Sequence, residues 1–260
     1  MKKRFEKLLS AVLAIAVFAA MLALPTVSFA DTWDGSSVSA SLAGEGTEEA
    51  PYLIASAADF AYFANQSRGG NNDSGLYVQL NDDISLDNVA ISPLGGFNGT
   101  FDGKGHEISG IKITSSSGNQ GFFIGISAGT IKNLTLAGSI TSTGSAIGGF
   151  AGYVASATFI NCVNNMNVTG SSKVGGLCGT VNNGANVKVI SCTNNGTITA
   201  TNTTGYSNLG GLIGEIQQAS TSSYGTVSML FSQITGAVVA TSRNVRAGLV
   251  GSESQFGFED

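Results

Sequence analysis

The sequence predicts an all-β protein, a right-handed parallel β-helix (β-solenoid) with a short capping helix near its N-terminal end. Three observations lead to this fold: a glycine-rich phrase that occurs five times, short apolar strands between the phrases, and asparagines at equivalent places in successive units. A unit that returns at a nearly fixed period and cannot bury its apolar face alone is typical of a stack of like coils.

Residues 1–30 have the composition of a secretory signal peptide. They begin with basic residues, continue through an apolar run from 8 to 24, and end on Ser28-Phe29-Ala30. The small residues at the end and Pro25 favour cleavage after Ala30 over a retained membrane anchor. We therefore expect a secreted, extracellular protein with no membrane contact after cleavage, and attachment to the cell surface stays open.

A flexible leader and an N-terminal cap are predicted next. The leader spans 31–50, which is rich in Ser, Gly and Glu, and the cap spans 51–75. Within the cap, 51–54 is predicted as a strand and 56–67 as a helix. A helix at this point can cover the apolar end and the unpaired strand edges of the first coil.

The helix prediction comes from a start signal and an apolar stripe. Ser56 followed by Asp59 has the form of a capping box. Phe60, Phe63 and Ala64 follow at helical spacing and form one apolar side.

Residues 76–260 are predicted to form the β-helix. The last glycines of the five phrases are separated by 27, 27, 35 and 37 residues: Gly125, Gly152, Gly179, Gly214 and Gly251. Three short strands in a unit of this size are typical of one coil of a parallel β-helix. The longer spacings imply insertions near 201–207 and 217–226, and the apolar phrase residues Phe150, Leu177 and Leu212 are expected in the core.

Asparagines are expected at the corners of the coils. Asn133, Asn161 and Ser191 fall at equivalent places, and Asn tolerates the left-handed backbone that a tight corner requires. Asn164 and Asn194 also coincide, so their amides could hydrogen-bond along a ladder.

Threonine-rich stretches occur at 135, 141–143, 197–199 and 201–204. A regular threonine face would suggest ice binding, but these stretches are not expected at one fixed place in every unit. We interpret them as ordinary outward residues of strands.

The cysteines Cys162 and Cys192 occupy equivalent places in two units, and Cys178 lies in a glycine phrase. Equivalent residues of adjacent strands are about 4.8 Å apart, so a disulfide between Cys162 and Cys192 stays open. Leu134 holds the same place one unit earlier, which favours small buried thiols.

A family resemblance rests on the stretch Phe97–Ile113, the glycine phrases, and the lead-in Ala50-Pro51-Tyr52-Leu53-Ile54 before a short helix. Together these resemble the GLUG-motif repeat regions of bacterial secreted and surface proteins. They are also similar to modules in the N-terminal regions of immunoglobulin-A-cleaving metalloproteases. The resemblance covers roughly residues 50–255 and implies a module that sits beside other domains in a larger surface protein.

The charge distribution limits the classes of partner that the protein is expected to bind. Residues 31–260 contain 8 Lys and Arg against 16 Asp and Glu, which argues against nucleic acid. No carboxylate occurs between Glu107 and Glu215, so the polar surface there consists of hydroxyls and amides. Such a surface suits a glycan or a host or cell-surface protein as partner.

The sequence offers few residues that could act in catalysis or bind a metal. The single histidine, His106, begins His-Glu but Gly110 stands where a zinc protease has its second histidine. Acids that could make a glycosidase pair occur only in the first turns: Asp82, Asp83, Asp87, Asp102 and Glu107. We expect no enzyme activity and no cofactor. Asp82, Asp83 and Asp87 are weak calcium candidates, since acids in turns are ordinarily solvated.

The function predicted from the sequence is a noncatalytic secreted or cell-surface module that acts as an adhesin or scaffold. The alternative is a carbohydrate-binding or carbohydrate-processing β-helix, lyase-like or glycosidase-like, that uses the acidic first turns. Tyr206 and Tyr224, in the lengthened segments, are the ligand-binding candidates. Trp33 and Tyr153 are also available as flat rings, but Tyr153 is expected to be packed.

Overall fold

Parallel strands dominate the computed structural model, which describes residues 33–68, 74–203, 205–217, 226–241 and 245–251. The predicted signal peptide 1–30 lies outside the described residues, as do Tyr224 and most of the predicted insertion at 217–226. Within the described part of the chain, no helix is both long enough and apolar enough to pass through a bilayer.

The secondary structure of the described residues is one helix and a series of short strands. In chain order they are β1 (Tyr52–Ile54), α1 (Ala57–Arg68), β2 (Tyr77–Leu80), β3 (Ile84–Ser85), β4 (Leu94–Phe97), β5 (Thr100–Asp102), β6 (Glu107–Ser115), β7 (Phe123–Ile126), β8 (Gly129–Lys132), β9 (Thr135–Ser142), β10 (Ile147–Gly148), β11 (Ala151–Ile160), β12 (Val163–Gly170), β13 (Val174–Gly175), β14 (Cys178–Ile190), β15 (Thr193–Asn194), β16 (Ile198–Ala200), β17 (Ser207–Ile216), β18 (Thr226–Leu230), β19 (Gln233–Ile234), β20 (Val238–Ala240) and β21 (Val245–Val250).

These strands form one sheet of 13 strands and one of 8. Every pairing between the named strands is parallel, and each strand pairs with its equivalent in the next unit. For example, Ala151 is in register with Phe123 on one side and Cys178 on the other. The two parallel sheets make an all-β architecture that is compatible with a β-helix.

The apolar core lies inside these sheets. Phe150, Leu177 and Leu212 are all 0% exposed, as the glycine phrases predict. At the C-terminal end of the described chain the apolar residues are less covered: Phe231 is 89% exposed and Leu230 48%. The core is therefore less covered at this end than in the strands that precede it.

Helix α1 begins one residue later than predicted and ends one residue later. Ser56 caps it, because its Oγ accepts a hydrogen bond from Asp59 N at 3.1 Å. The Asp59 carboxylate reaches back to Ala55 N at 3.1 Å, one residue before the expected capping-box partner. The predicted apolar side is buried, and Phe60 stacks on Phe122 with ring centroids 5.7 Å apart.

The end of α1 is fixed against β4. Ser67 Oγ accepts a hydrogen bond from Gly95 N at 3.0 Å, and Arg68 Nε donates to Pro93 O at 3.0 Å. A Cβ added at Gly95 would lie 2.3 Å from Ser67 O, so a glycine is needed where the helix meets the strand.

The last glycine of each phrase also has a packing reason. A Cβ added at Gly152 would lie 2.2 Å from the backbone carbon of Asn119, and one added at Gly179 would lie 2.3 Å from that of Ala146. Asn119 and Ala146 are left-handed corner residues of the preceding unit. Close approach of two backbones therefore explains Gly152 and Gly179, whereas Gly125 lies against a side chain.

The corners lie where asparagine placement predicts them. Asn133, Asn161 and Ser191 have φ values of 52°, 52° and 53°. Asn161 Nδ2 donates to Asn133 Oδ1 at 3.1 Å, so the corner amides are linked. The apolar pattern of the sequence predicts strands over 131–136, 158–163 and 187–193, and this prediction is wrong. The strands end at these corners because the left-handed residue turns the chain.

A row of threonines runs across one sheet. Thr114, Thr141, Thr169 and Thr199 are in register on four successive strands, and Val239 follows at the same place on β20. Threonine is therefore not found at one fixed place in every unit, as expected, but the sequence did not predict this row of four. Register depends on a bulge between Ile108 and Ile111, which simple counting along the sequence does not reveal.

The residues predicted as a flexible leader contain no helix or named strand in their described part, 33–50. Trp33 and Leu42 pack against the edge of the core, and Ala43 forms an antiparallel bridge with Leu53. Ser39 Oγ donates to Asp59 Oδ1 at 2.6 Å, which ties this segment to the start of α1.

Candidate functional site

The carboxylates of the three calcium candidates, Asp82, Asp83 and Asp87, each accept hydrogen bonds from different partners. Asp83 Oδ1 is 3.1 Å from His106 Nδ1 and accepts from Glu107 N at 3.0 Å. Asp82 Oδ1 accepts from Asp83 N, and Asp87 Oδ1 accepts from Ser85 Oγ at 3.0 Å. Among the described residues no group of three or more His, Cys, Asp or Glu side chains is placed to hold a metal ion. The calcium site stays a prediction.

The Asp102 carboxylate is fixed by contacts with residues at and beside the corner at Asn133. Its Oδ1 accepts hydrogen bonds from Asn133 Nδ2 at 3.0 Å and Lys104 N at 2.9 Å, and its Oδ2 is 3.4 Å from Lys132 Nζ. Burial raises the pKa of Asp102, but the hydrogen bonds and the charge of Lys132 outweigh it, so the net pKa is lowered. A carboxylate stabilised in this way is ionised and poorly suited to act as a general acid.

The cysteines are free buried thiols. Cys162 Sγ donates to Ile131 O at 3.3 Å, and Cys192 follows it in the same column, since Thr193 N donates to Cys162 O. Burial raises the pKa of the Cys162 thiol and raises that of Cys178 to about 12. The hydrogen bond with Cys162 lowers the pKa of Cys192. All three thiols are buried, which makes them resemble small core residues.

Among the aromatic candidates that the structure describes, Tyr206 is more exposed than Trp33 and Tyr153. It is 66% exposed, and the guanidinium of Arg246 lies 5.5 Å from its ring centroid. Its backbone oxygen accepts a hydrogen bond from Ser172 Oγ at 3.1 Å. One ring is thus presented at the surface beside a cation, while Tyr224 lies outside the described residues.

Tyr153 lies across a glycine of the preceding coil. A Cβ added at Gly125 would be 2.2 Å from Tyr153 Cζ, so the ring can lie flat there only because residue 125 has no side chain. The ring is half-buried, which agrees in part with the expectation that it is packed. Trp33 is also half-buried, and its Nε1 donates to Ser37 O at 3.0 Å.

A polar groove opens beside the Tyr153 ring. We call it the Tyr153 groove; its volume is about 540 Å³, and it is lined mainly by Asn119, Tyr153, Lys173, Thr180, Asn182 and Gln217. Tyr153 and Thr180 are direct cross-strand neighbours, and Thr180 is in turn paired with Glu215. Three successive coils therefore contribute to one surface.

Lys173, the cation among the described residues that line this groove, is paired with a carboxylate. Lys173 Nζ lies 2.7 Å from Glu215 Oε2, and Glu215 Oε1 accepts a hydrogen bond from Asn208 Nδ2 at 3.1 Å. The Glu215 side chain is 15% exposed and that of Lys173 is 33% exposed, so the ion pair is partly shielded from water. The described residues that line the groove therefore offer polar groups and one paired charge.

Several buried polar atoms around this ion pair lack partners. Within the described residues, Thr180 Oγ1, Ser207 Oγ and Asn208 Oδ1 make no hydrogen bond. Thr180 is 3% exposed and lines the groove. An unsatisfied buried hydroxyl is costly and calls for an explanation.

Sequence reasoning missed the residues of this groove except Tyr153. A signal was present, because 10 residues separate Gly152 from Cys162 whereas 13 separate Gly179 from Cys192. The structure accommodates the extra residues after Val181, where the register with β11 shifts and Gly184 has a φ of 71°. Asn182 lies in this bulge and reaches the groove.

Comparison with known proteins gives one curated relative and one similar solved structure. The chain is 32% identical over 161 residues to Halomucin of Haloquadratum walsbyi, an alignment that covers 56% of this chain and 2% of that protein. A solved structure from Bacteroides ovatus, described as a "putative immunoglobulin A1 protease", has a TM-score of 0.46 and 17% identity, with 82% of each chain covered. No family model matches the chain.

Proposed function

We propose that this protein is a noncatalytic secreted or cell-surface module that acts as an adhesin or scaffold, with its strands wound into a right-handed β-solenoid of GLUG-like repeats. The observation that carries this proposal is the long stretch from 108 to 214 without a carboxylate, in which hydroxyls and amides are the main polar groups beside four lysines. Such a surface can bind through hydrogen bonds but lacks the paired acids that hydrolysis of glycans requires.

The acidic first turns supply structural contacts in this proposal. Asp102 is held by Asn133 and Lys132, and Asp83 is held by His106 and Glu107 N. These contacts favour a structural role for Asp102 and Asp83 over the carbohydrate-processing alternative. The relative of which this chain covers 2% supports the further proposal that such a module functions as one part of a larger surface protein.

Export and catalysis can be tested together. We expect the exported protein to begin at Asp31, as determined by N-terminal sequencing of the secreted or surface fraction. Incubated with neutral and acidic polysaccharides, the purified exported chain is expected to release no new reducing ends or unsaturated products. Product release that is abolished by Asp102→Asn but not by Asp82→Asn would overturn the noncatalytic proposal.

A further inference from the structure

The Tyr153 groove combines the groups that recognise a sugar. It has one flat ring, the amides of Asn119, Asn182 and Gln217, and a hydroxyl on Thr180. Ligand sites generally pair an apolar contact surface with a few well-placed polar groups. Here the ring supplies the apolar contact, and the amides both donate and accept hydrogen bonds.

Thr180 indicates that the groove is built for an occupant. Its side chain lines the groove, its Oγ1 is buried, and within the described part of the chain that atom has no hydrogen-bond partner. A buried hydroxyl without a partner is costly relative to a satisfied one. A ligand hydroxyl at this point could accept or donate the missing bond.

The charges favour a neutral ligand. Lys173, the cation that lines the groove, lies 2.7 Å from Glu215 Oε2 and is therefore already paired. An acidic polysaccharide would meet the Glu215 carboxylate beside the ammonium group and gain little. Neutral sugar hydroxyls match the amides and hydroxyl without disturbing this pair.

We propose that the Tyr153 groove binds a neutral oligosaccharide, with one sugar ring over Tyr153 and its hydroxyls bonded to Thr180, Asn182 and Asn119. The inference rests on the proposed noncatalytic module and gives it a ligand class. It places the sugar site on the middle coils, whereas the sequence-based alternative placed it on the acidic first turns.

The test uses the exported chain on a printed array of neutral oligosaccharides, followed by calorimetric titration of the strongest binder. Thr180→Val removes the unpartnered hydroxyl and keeps the shape of the side chain. We expect it to weaken binding about fivefold to tenfold, the loss of roughly one hydrogen bond. Its melting temperature should be unchanged or higher, because a buried unpartnered group is removed. Thr199→Val, on a different sheet, is the matched control and should bind like the parent.

A second pair of variants tests the ring. Tyr153→Phe keeps the flat face and should retain most of the affinity, whereas Tyr153→Leu removes the flat face and should lose at least tenfold. Circular dichroism and thermal unfolding check that Tyr153→Leu is folded. If that variant fails to fold, Thr180→Val decides the matter.

Three outcomes would overturn the inference: no neutral oligosaccharide bound by the parent, binding unchanged in Thr180→Val, or equal losses in Thr180→Val and Thr199→Val. The proposed function would survive each of them, because it is tested by N-terminal sequencing of the exported protein and by the absence of product release.

Discussion

Asn164 and Asn194 lie one above the other in the core, both 0% exposed, with Asn164 Nδ2 donating to Asn194 Oδ1 at 2.6 Å. Each amide also bonds the backbone two residues on, at Met166 O and Gly196 O. The pair continues a column in which Leu136 precedes it and Ile234 follows it. A short polar ladder is therefore enclosed between apolar side chains.

This ladder should contribute measurably to stability. Asn164→Ala removes the partner of Asn194 Oδ1 and leaves Met166 N unpaired, so we expect a loss of about 1–3 kcal/mol in the free energy of unfolding. Asn165→Ala, at the exposed Asn165–Asn195 pair, is the control and should cost less than about 0.5 kcal/mol. Denaturant unfolding measures both.

Replacing both amides separates the hydrogen bond from the packing. Leu136 shows that leucine fits this column, so the double variant Asn164→Leu/Asn194→Leu should be less destabilised than the sum of the single leucine variants. Additive losses would show that the two amides do not act as a pair.

The phrase glycines should be intolerant of even one methyl group. Gly179→Ala would place a Cβ 2.3 Å from the backbone of Ala146, so we expect a loss of about 1–3 kcal/mol or more. Gly96→Ala is the matched control, since its Cβ would meet nothing within 4 Å. Thermal unfolding of the two variants should differ clearly, and similar midpoints would contradict the close approach.

The three thiols should be inaccessible in the native protein. Burial of Cys162, Cys178 and Cys192 shields them from solvent, so a thiol reagent such as Ellman's reagent should react with none of them before unfolding. After unfolding in guanidinium without reductant, three thiols per chain are expected. A count of one would mean that Cys162 and Cys192 are bridged.

Asp102 should make stability depend on acid pH. Its pKa in the folded protein is lowered from the ordinary 3.8, so its contribution is complete above that value and is lost as the pH falls through the lower folded pKa. Asp102→Asn should therefore lower stability at neutral pH, by less than about 1 kcal/mol for this partly exposed pair. The difference from the parent should shrink below pH 4. Urea unfolding across this range is the measurement, with Asp82→Asn as the control, and a difference independent of pH would contradict the assignment.

Much of the architecture followed from the period of the glycine phrase and from residue types at corners. The phrase predicted buried Phe150, Leu177 and Leu212, and asparagine placement predicted the positive φ of Asn133 and Asn161. These predictions succeeded because close backbone approach and left-handed corners permit few residue types.

The groove and the threonine row could not be derived in the same way. Both depend on the register between coils, which bulges shift at Ile108–Ile111 and after Val181. A one-residue change in register moves a side chain to the other face of a strand. The pairing of Lys173 with Glu215, 42 positions apart, likewise depends on the stacking of coils and leaves no local sequence signal.

The carboxylate-free stretch has a consequence for the conditions under which the protein can work. From 108 to 214 its only charged side chains are four lysines, Lys112, Lys132, Lys173 and Lys188, and two of these are paired with Asp102 and Glu215. Dissolved ions screen exposed charges but leave neutral hydrogen bonds largely unaffected. The middle coils should thus keep their shape and the hydrogen-bonding capacity of their surface from fresh water to brine.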